Sequence, residues 1–168
     1  NRAEHFAAVI DILAAGEMYR LSQVYETAPQ GGVAQDDFWN LVMEIETSAT
    51  PYEILDRARA AETERARTRT VRWGPRTLDV DVLMVGAIVS DDPELTIPHP
   101  RMWERRFVLA PLRELAPELV SDEAFAAGTE SETGRQCDVA LLHKQGTELD
   151  GVEIAIRLRN RRPYEHRA

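Results

Sequence analysis

The chain has 168 residues, of which 43% are hydrophobic and 29% are charged, which is typical of a single soluble globular domain with a sizeable core. The formal net charge of −9 disfavours general binding to nucleic acid or to an anionic membrane, and no apolar run is long enough to span a membrane. The first residues lack a signal-peptide pattern and the one cysteine, Cys137, cannot form an intrachain disulfide, which fits a cytoplasmic location.

The first half of the sequence predicts a helix, two strands and a second helix. The first helix covers residues 1 to 16, with Asn1 and Glu4 as a capping box. Its apolar stripe consists of Phe6, Val9, Ile10 and Leu13. Strands follow over Met18–Thr27 and Phe38–Thr47, joined by a polar loop, and alternation places Phe38 and Asn40 on the more polar face of the later strand.

The second helix is predicted to begin at the capping box of Thr50 and Glu53 and to end near Glu64. The segment Arg65–Arg72 has no apolar period and predicts an exposed, mobile loop. Further along, a short strand is predicted over Ala87–Ser90. The last predicted helix of this part of the chain covers Trp103–Leu115, which Pro111 can interrupt.

A turn feeding a half-buried strand is predicted between Arg72 and Val85, because a Gly-Pro pair precedes residues that alternate with period two. One face of this strand is apolar and is formed by Leu78, Val80, Val82 and Met84. Asp79 and Asp81 share the other face, where two carboxylates repel each other unless a cation lies between them. Mg²⁺ suits such oxygen ligands, although an exposed strand edge also carries charges to resist aggregation.

A basic segment precedes this acidic pair. From Arg57 to Arg76 the sequence has seven arginines and two glutamates, a local charge of +5 in a chain of net charge −9. Guanidinium groups bind phosphate oxygens in pairs while a metal ion neutralises the remaining charge. A basic segment beside two carboxylates is therefore what a site for Mg²⁺ and a polyphosphate requires.

The sequence changes character after residue 120, so we predict one domain over residues 1–120 and an extension over 121–168. In the extension, Ala124–Thr133 is predicted to be a linker, Asp138–Lys144 a short helix and Val152–Leu158 a strand, with a frayed tail over Arg157–Arg167. The order of elements in the first domain predicts an α+β sandwich with helices on one face of an antiparallel sheet.

At its central motif the sequence resembles the 6-hydroxymethyl-7,8-dihydropterin pyrophosphokinase family, folate-pathway enzymes that move a pyrophosphoryl group from ATP to a pterin alcohol. The resemblance covers about residues 2 to 120. It is carried by Tyr25–Pro29, Phe38–Asn40, Arg72–Leu83, Pro98–Pro100 and Arg105–Leu112. It implies a ferredoxin-like βαββαβ fold in which a first strand, expected inside the sheet, is missing from this sequence.

The resemblance also implies the roles of individual residues. Two Mg²⁺ ions are expected at Asp79 and Asp81. The expected catalytic arginines are Arg67, Arg69 and Arg76. The residues expected to contact ATP are Trp73, Arg76, Thr96, His99 and Arg105. The residues expected to bind the pterin are Phe38, Asn40 and Phe107.

Each assignment has a simpler alternative. The loop arginines could be solvated surface, Arg76 could pair with an aspartate, His99 could be a structural imidazole, and the two phenylalanines could be core residues. Arg106 competes with its neighbour Arg105 for the same role. For the whole chain, the alternatives are a non-catalytic ferredoxin-like module that binds a nucleotide or has a regulatory role, and an inactive fragment. No nucleic acid or membrane partner is expected. The sequence leaves open whether the chain stands alone or is fused to, or associated with, another folate-pathway enzyme.

Overall fold

The computed structural model describes residues 2–27, 38–67, 78–128, 135–137 and 153–160. The helices in these ranges are α1 (Arg2–Ala14), α2 (Pro51–Arg67), α3 (Arg106–Leu115) and α4 (Asp122–Ala127). The strands are β1 (Tyr19–Leu21), β2 (Val24–Thr27), β3 (Phe38–Glu46), β4 (Leu78–Val85), β5 (Ser90–Asp92), β6 (Leu95–Ile97), β7 (Arg135–Cys137) and β8 (Glu153–Asn160). None of the described helices has the length and apolar character needed to cross a membrane.

The main sheet is antiparallel and has the strand order β4-β8-β3-β2-β7, with β1 also paired to β3. The strand β8 lies inside the sheet, between β3 and β4. The resemblance places the first strand of the family fold inside the sheet, and in this chain a strand from the C-terminal region lies there. Outside the main sheet, β5 and β6 form a hairpin.

Helices cover both faces of the sheet, so the prediction of helices on one face is wrong. The helices α1 and α2 pack on one face with Leu41, Met43 and Ile45 of β3. On the other face α3 packs on Val42 of β3. The physical reason is that all six residues from Asn40 to Ile45 are buried, so both faces of β3 need a cover.

The predicted apolar stripe of α1 is confirmed, since Phe6, Val9, Ile10 and Leu13 are all buried. The ring of Phe6 stacks on Trp39 with 6.3 Å between centroids. The helix ends before Gly16, whose φ of +83° belongs to the left-handed region that glycine adopts readily. The proposed cap Asn1 lies outside the described residues.

The predicted strand Met18–Thr27 is divided into β1 and β2. At the break, the Ser22 hydroxyl accepts a hydrogen bond from the Val42 N–H at 2.9 Å, while the Ser22 N–H donates to the Val42 carbonyl at 3.0 Å. A side-chain oxygen thus replaces one backbone acceptor of the ladder, which interrupts regular pairing.

In β4 the predicted face of Met84 is wrong. The pairing with β8 shifts register between Val82 and Met84. Leu78, Val80 and Val82 remain on the face toward α1 and α2, but Leu83 and Met84 pack with α3 and Val85 returns to the first core. An irregularity of this kind reverses the alternation of side chains beyond it.

Several predicted boundaries are also wrong. The helix α2 extends through Arg67, so residues 65–67 are helical and not part of a loop. The predicted loop residues 30–37 and 68–72 lie outside the described residues. Residues 124–127 belong to α4, and residues 157–160 belong to β8 and not to a frayed tail. The strand predicted over Ala87–Ser90 begins only at Ser90. Pro111 lies inside α3 without ending it. The predicted helix Asp138–Lys144 and the remainder of the tail lie outside the described residues.

We expect Thr50→Ala to lower the free energy of unfolding by about 1 kcal/mol, because it removes the cap of α2. The Thr50 N–H donates to Glu53 at 2.7 Å and the Glu53 N–H donates to the Thr50 hydroxyl at 3.3 Å, which is the predicted capping box. The hydrogen bond from the Thr50 backbone is the main reason that the pKa of Glu53 is lowered.

Urea denaturation measures this change. Thr63→Ala is the matched control, since it removes an exposed hydroxyl that only bonds back to the Arg59 carbonyl within the same helix. Equal losses of stability in the two variants would show that the cap contributes nothing specific.

Candidate active site

The two aspartates of β4 lie on the face of the sheet that α3 covers, because Leu78, Val80 and Val82 face the opposite core. Both are partly exposed. Asp79 and Asn40 of β3 are each paired with residue 159 of the intervening strand β8. Residues directly opposite one another in antiparallel strands share a face, so Asp79 and Asn40 lie on the same side, two strands or about 10 Å apart.

Asn40 is fully buried and only partly satisfied. Its side-chain N–H donates to the hydroxyl of Thr27 at 2.8 Å. Its Oδ1 atom is buried and has no hydrogen-bond partner among the residues that the structure describes. Leaving a buried acceptor without a partner costs roughly 1–3 kcal/mol, so an unpaired amide is expected where a ligand supplies the missing donor.

Two phenylalanines lie on this part of the sheet and of α3. Phe38 is 6% exposed and pairs with Thr27 at the start of β3. Phe107 is 9% exposed, lies in the first turn of α3 and packs in the core under that helix. The two phenylalanines and Asn40 thus come from β3 and from the first turn of α3.

The neighbouring arginines Arg105 and Arg106 point to different surroundings. The guanidinium of Arg105 lies 5.6 Å from the centroid of the Phe107 ring. The guanidinium of Arg106 lies 5.1 Å from the ring of Phe125, and its Nε donates to the Phe125 carbonyl at 3.0 Å. Arg106 therefore fastens α4 to α3, and Arg105 is the arginine beside the candidate site.

His99 is positioned by the backbone of β4. Its N–H donates to the Leu83 carbonyl at 2.7 Å, and its Nδ1 atom accepts a hydrogen bond from the Arg101 N–H at 3.2 Å. Because Nδ1 acts as an acceptor, the proton of the neutral ring is on Nε2. The hydroxyl of Thr96, on β6, donates to the Asp92 carbonyl at 3.0 Å.

Glu62 links the end of α2 to the start of β4. Its Oε1 atom accepts a hydrogen bond from the backbone N–H of Val80 at 3.0 Å. This contact lies between the two aspartates in the sequence and holds the strand that carries them. Glu62 thus positions β4 against the end of α2.

On the side of β3 away from β8, Tyr25 of β2 lies opposite Asn40. Its hydroxyl donates a hydrogen bond to Glu114 of α3, and the Gln23 N–H donates to the same carboxylate at 2.8 Å. Burial, followed by the contact with Glu114, raises the pKa of Tyr25, so the phenol remains protonated. These bonds fix α3, and with it Phe107, over the sheet.

The structure brings six of the predicted site residues to the α3 face or to the start of α3. They are Phe38, Asn40, Asp79, Asp81, Arg105 and Phe107. Arg67 is the last residue of α2. Arg69, Trp73 and Arg76 lie outside the described residues, so their roles stay predictions. Within the described ranges no group of three or more metal-binding side chains occurs, which leaves the two aspartates as the candidate protein ligands.

Sequence reasoning missed Thr27 as a site residue. It is the only described partner of the Asn40 amide and is itself 5% exposed. Alternation in β2 could have found it, because Tyr25 and Thr27 are two residues apart and so share a face of the strand.

These features define a ferredoxin-like α+β sandwich with a candidate enzyme site on its α3 face. Residues 1–117 match the model of the family described as 7,8-dihydro-6-hydroxymethylpterin-pyrophosphokinase (HPPK). The chain therefore belongs to this family. It is a pyrophosphokinase of folate biosynthesis, and ATP is the co-substrate of the family.

Named relatives agree with this membership. The 2-amino-4-hydroxy-6-hydroxymethyldihydropteridine pyrophosphokinase of Bacillus subtilis is 45% identical over 119 residues, which are 71% of this chain and 71% of the relative. The enzyme of the same name from Pseudomonas aeruginosa is 44% identical over 99 residues, 59% of this chain and 61% of its own. The bifunctional protein FolKE of Lactococcus lactis is 41% identical over 96 residues, 57% of this chain and 28% of that protein.

Proposed function

We propose that the α3 face of the sheet binds ATP, Mg²⁺ and 6-hydroxymethyl-7,8-dihydropterin, and that it forms the pterin diphosphate and AMP. The observation that carries the proposal is the buried amide oxygen of Asn40, which has no partner among the described residues and lies on the same face as Asp79. A flat heterocycle with N–H groups on its edge supplies the donor that the amide lacks. The aspartates supply oxygen ligands at the distance of a short substrate.

The pterin half of the site would consist of Phe38, Phe107 and Asn40. Phenylalanine rings offer flat apolar surfaces on which a heterocycle can stack, and the amide reads its polar edge. Thr27 holds the Asn40 amide in place through its hydroxyl. The specificity for a pterin thus comes from pairing a polar group that is costly to leave unpaired.

The metal half of the site would consist of Asp79 and Asp81, and we propose two Mg²⁺ ions there. Two partly exposed carboxylates on one strand face suit a hard cation that takes only one or two carboxylates from the protein and its other ligands from phosphate and water. When bound, Mg²⁺ neutralises charge on the phosphates and acidifies a substrate hydroxyl. Glu62 keeps the strand that carries both aspartates against α2.

The ATP half would be contacted by Arg105, by the Nε2 proton of His99 and by Thr96. The proposal adds Arg67, Arg69, Arg76 and Trp73 on the basis of the resemblance. Positive and donor groups orient the triphosphate so that the pterin hydroxyl oxygen attacks the β-phosphorus in line. The new bond joins that oxygen to the β-phosphorus, the bond from the β-phosphorus to the α-phosphate oxygen breaks, AMP leaves, and the hydroxyl proton passes to solvent.

Incubation of the purified chain with ATP, Mg²⁺ and 6-hydroxymethyl-7,8-dihydropterin tests the proposal. We expect AMP and the pterin diphosphate to form in equal amounts, as measured by chromatography, and neither to form without Mg²⁺ or with ADP in place of ATP. ATP binding without AMP formation would instead support the non-catalytic nucleotide-binding module.

The proposal includes a cytoplasmic location, where ATP is supplied. It also includes association with, or fusion to, another enzyme of the folate pathway. The support for this second part is that a relative from Lactococcus lactis is named a bifunctional protein and is much longer than the matched region.

A further inference from the structure

A pocket lies under the C-terminal end of α3, on the same face of the sheet as the candidate active site. Its walls are apolar side chains from β3, β4, α3 and the turn after α3: Val42, Met84, Leu112, Leu115 and Leu119. Its cavity volume is about 130 Å³. Engineered cavities of about 150 Å³ with similar linings bind benzene, so one six-membered ring fits this space.

This pocket is separate from the candidate active site. Its two residues on β3, Val42 and Glu44, lie two and four positions from Asn40, which corresponds to about 7 and 14 Å along the strand. The two sites also use opposite ends of α3, since Phe107 is in its first turn whereas Leu115 is its last residue.

The pocket has one charged wall residue, Glu44, which is only 4% exposed. Its Oε2 atom accepts a hydrogen bond from Arg20 at 2.5 Å, and Arg20 lies within 3.4 Å of the Leu115 carbonyl. Its Oε1 atom is buried and has no partner among the residues that the structure describes. The apolar lining of the pocket thus includes an acceptor to which no described residue donates a hydrogen bond.

We propose that this pocket is a second ligand site for a small neutral molecule that has one apolar ring and one O–H or N–H donor. The ring fills the space between the leucines, and the donor binds the Oε1 atom of Glu44. A neutral donor fits better than a second cation, because Arg20 already balances the charge of the carboxylate. Phenol has the size and the single donor that this site requires.

The experiment is a titration of the full chain with phenol, followed by amide chemical shifts in two-dimensional NMR. We expect saturable shifts at Gly86, Leu112, Leu115 and Leu119. Ala116→Leu should abolish them, because Ala116 is 6% exposed and lines the pocket, so the added carbons occupy the space. Ala127→Leu, which adds the same carbons at an exposed position of α4, should bind phenol as the parent does.

Leu119→Trp is a second filling variant in case Ala116→Leu does not fold. The absence of saturable shifts in the parent would overturn the proposal, and so would shifts centred on Asn40 and Phe107. Undiminished binding by a folded filling variant would overturn it as well.

A comparison of phenol with toluene, which lacks the hydroxyl, tests the hydrogen bond that the ligand donates to Glu44. Replacing Arg20 and Glu44 together by Met removes the ion pair without leaving either charge buried alone. The ratio of the two dissociation constants cancels changes in pocket shape, and we expect the preference for phenol over toluene to fall about tenfold in the double variant. An unchanged ratio would show that the pocket is an apolar void with no polar recognition.

Discussion

Asp81→Asn is expected to lower the rate of pyrophosphoryl transfer by about a thousandfold, and Asp79→Asn is expected to do the same. A metal ion supplies several kcal/mol of charge stabilisation, and each 1.4 kcal/mol or so corresponds to about a tenfold change in rate. The amide keeps the shape of the carboxylate but loses its charge, so the fold should be retained. Single-turnover kinetics with saturating ATP and pterin measure the change.

The structure leaves a definite alternative for these two residues. Among the described strands β4 pairs only with β8, so it is an edge strand on which charges can prevent aggregation. Asp79 and Asp81 also lie opposite Arg159 and Arg157 in the ladder. If the aspartates only protect the edge of the sheet, or only balance the charge of these arginines, their substitution would change stability or solubility but not the chemical step.

Two measurements separate the alternatives. Titration calorimetry should show that ATP binding to the parent depends on Mg²⁺ and that this dependence disappears in the asparagine variants. Asp91→Asn, an exposed carboxylate on β5, is the matched control and should behave as the parent. Normal transfer rates in the β4 variants, with lower solubility, would assign both residues to edge protection.

Asn40→Leu is expected to weaken pterin binding at least about tenfold, because the ligand edge loses a hydrogen-bond partner worth roughly 1–3 kcal/mol. The same change should alter the free energy of unfolding by less than about 1 kcal/mol. It removes one hydrogen bond to Thr27, but it also removes a buried oxygen that has no described partner. Affinity would therefore fall without a matching loss of stability.

Fluorescence titration with a pterin and urea denaturation measure the two effects, and ATP binding should stay unchanged. Gln23→Leu removes a side-chain amide at a partly exposed position of the same part of the chain and serves as the control. If Asn40→Leu binds the pterin as tightly as the parent but unfolds more easily, Asn40 is a core residue and the pterin half of the proposal is wrong.

The sequence alone determined those features that depend on neighbouring residues. The stripe of α1, the capping box of α2 and the shared face of Asp79 and Asp81 follow from local periodicity and from contacts within a few residues. The family could also be predicted, because the long motif around the two aspartates carries the resemblance, and the match of the family model over residues 1–117 confirms it. These features depend on residues that are close together in the sequence, so they can be predicted before the fold is known.

Tertiary structure decided what depends on residues far apart in the chain. A strand from the C-terminal region lies between β3 and β4, the Ser22 hydroxyl divides one predicted strand, and a register shift reverses the face of Met84. Only the fold shows that Arg106 binds Phe125 of α4, which leaves Arg105 as the candidate for the predicted contact with ATP. Only packing shows that Asn40 and Glu44 each keep a buried oxygen without a described partner, because satisfaction of a polar atom depends on which distant groups the fold brings within hydrogen-bonding distance.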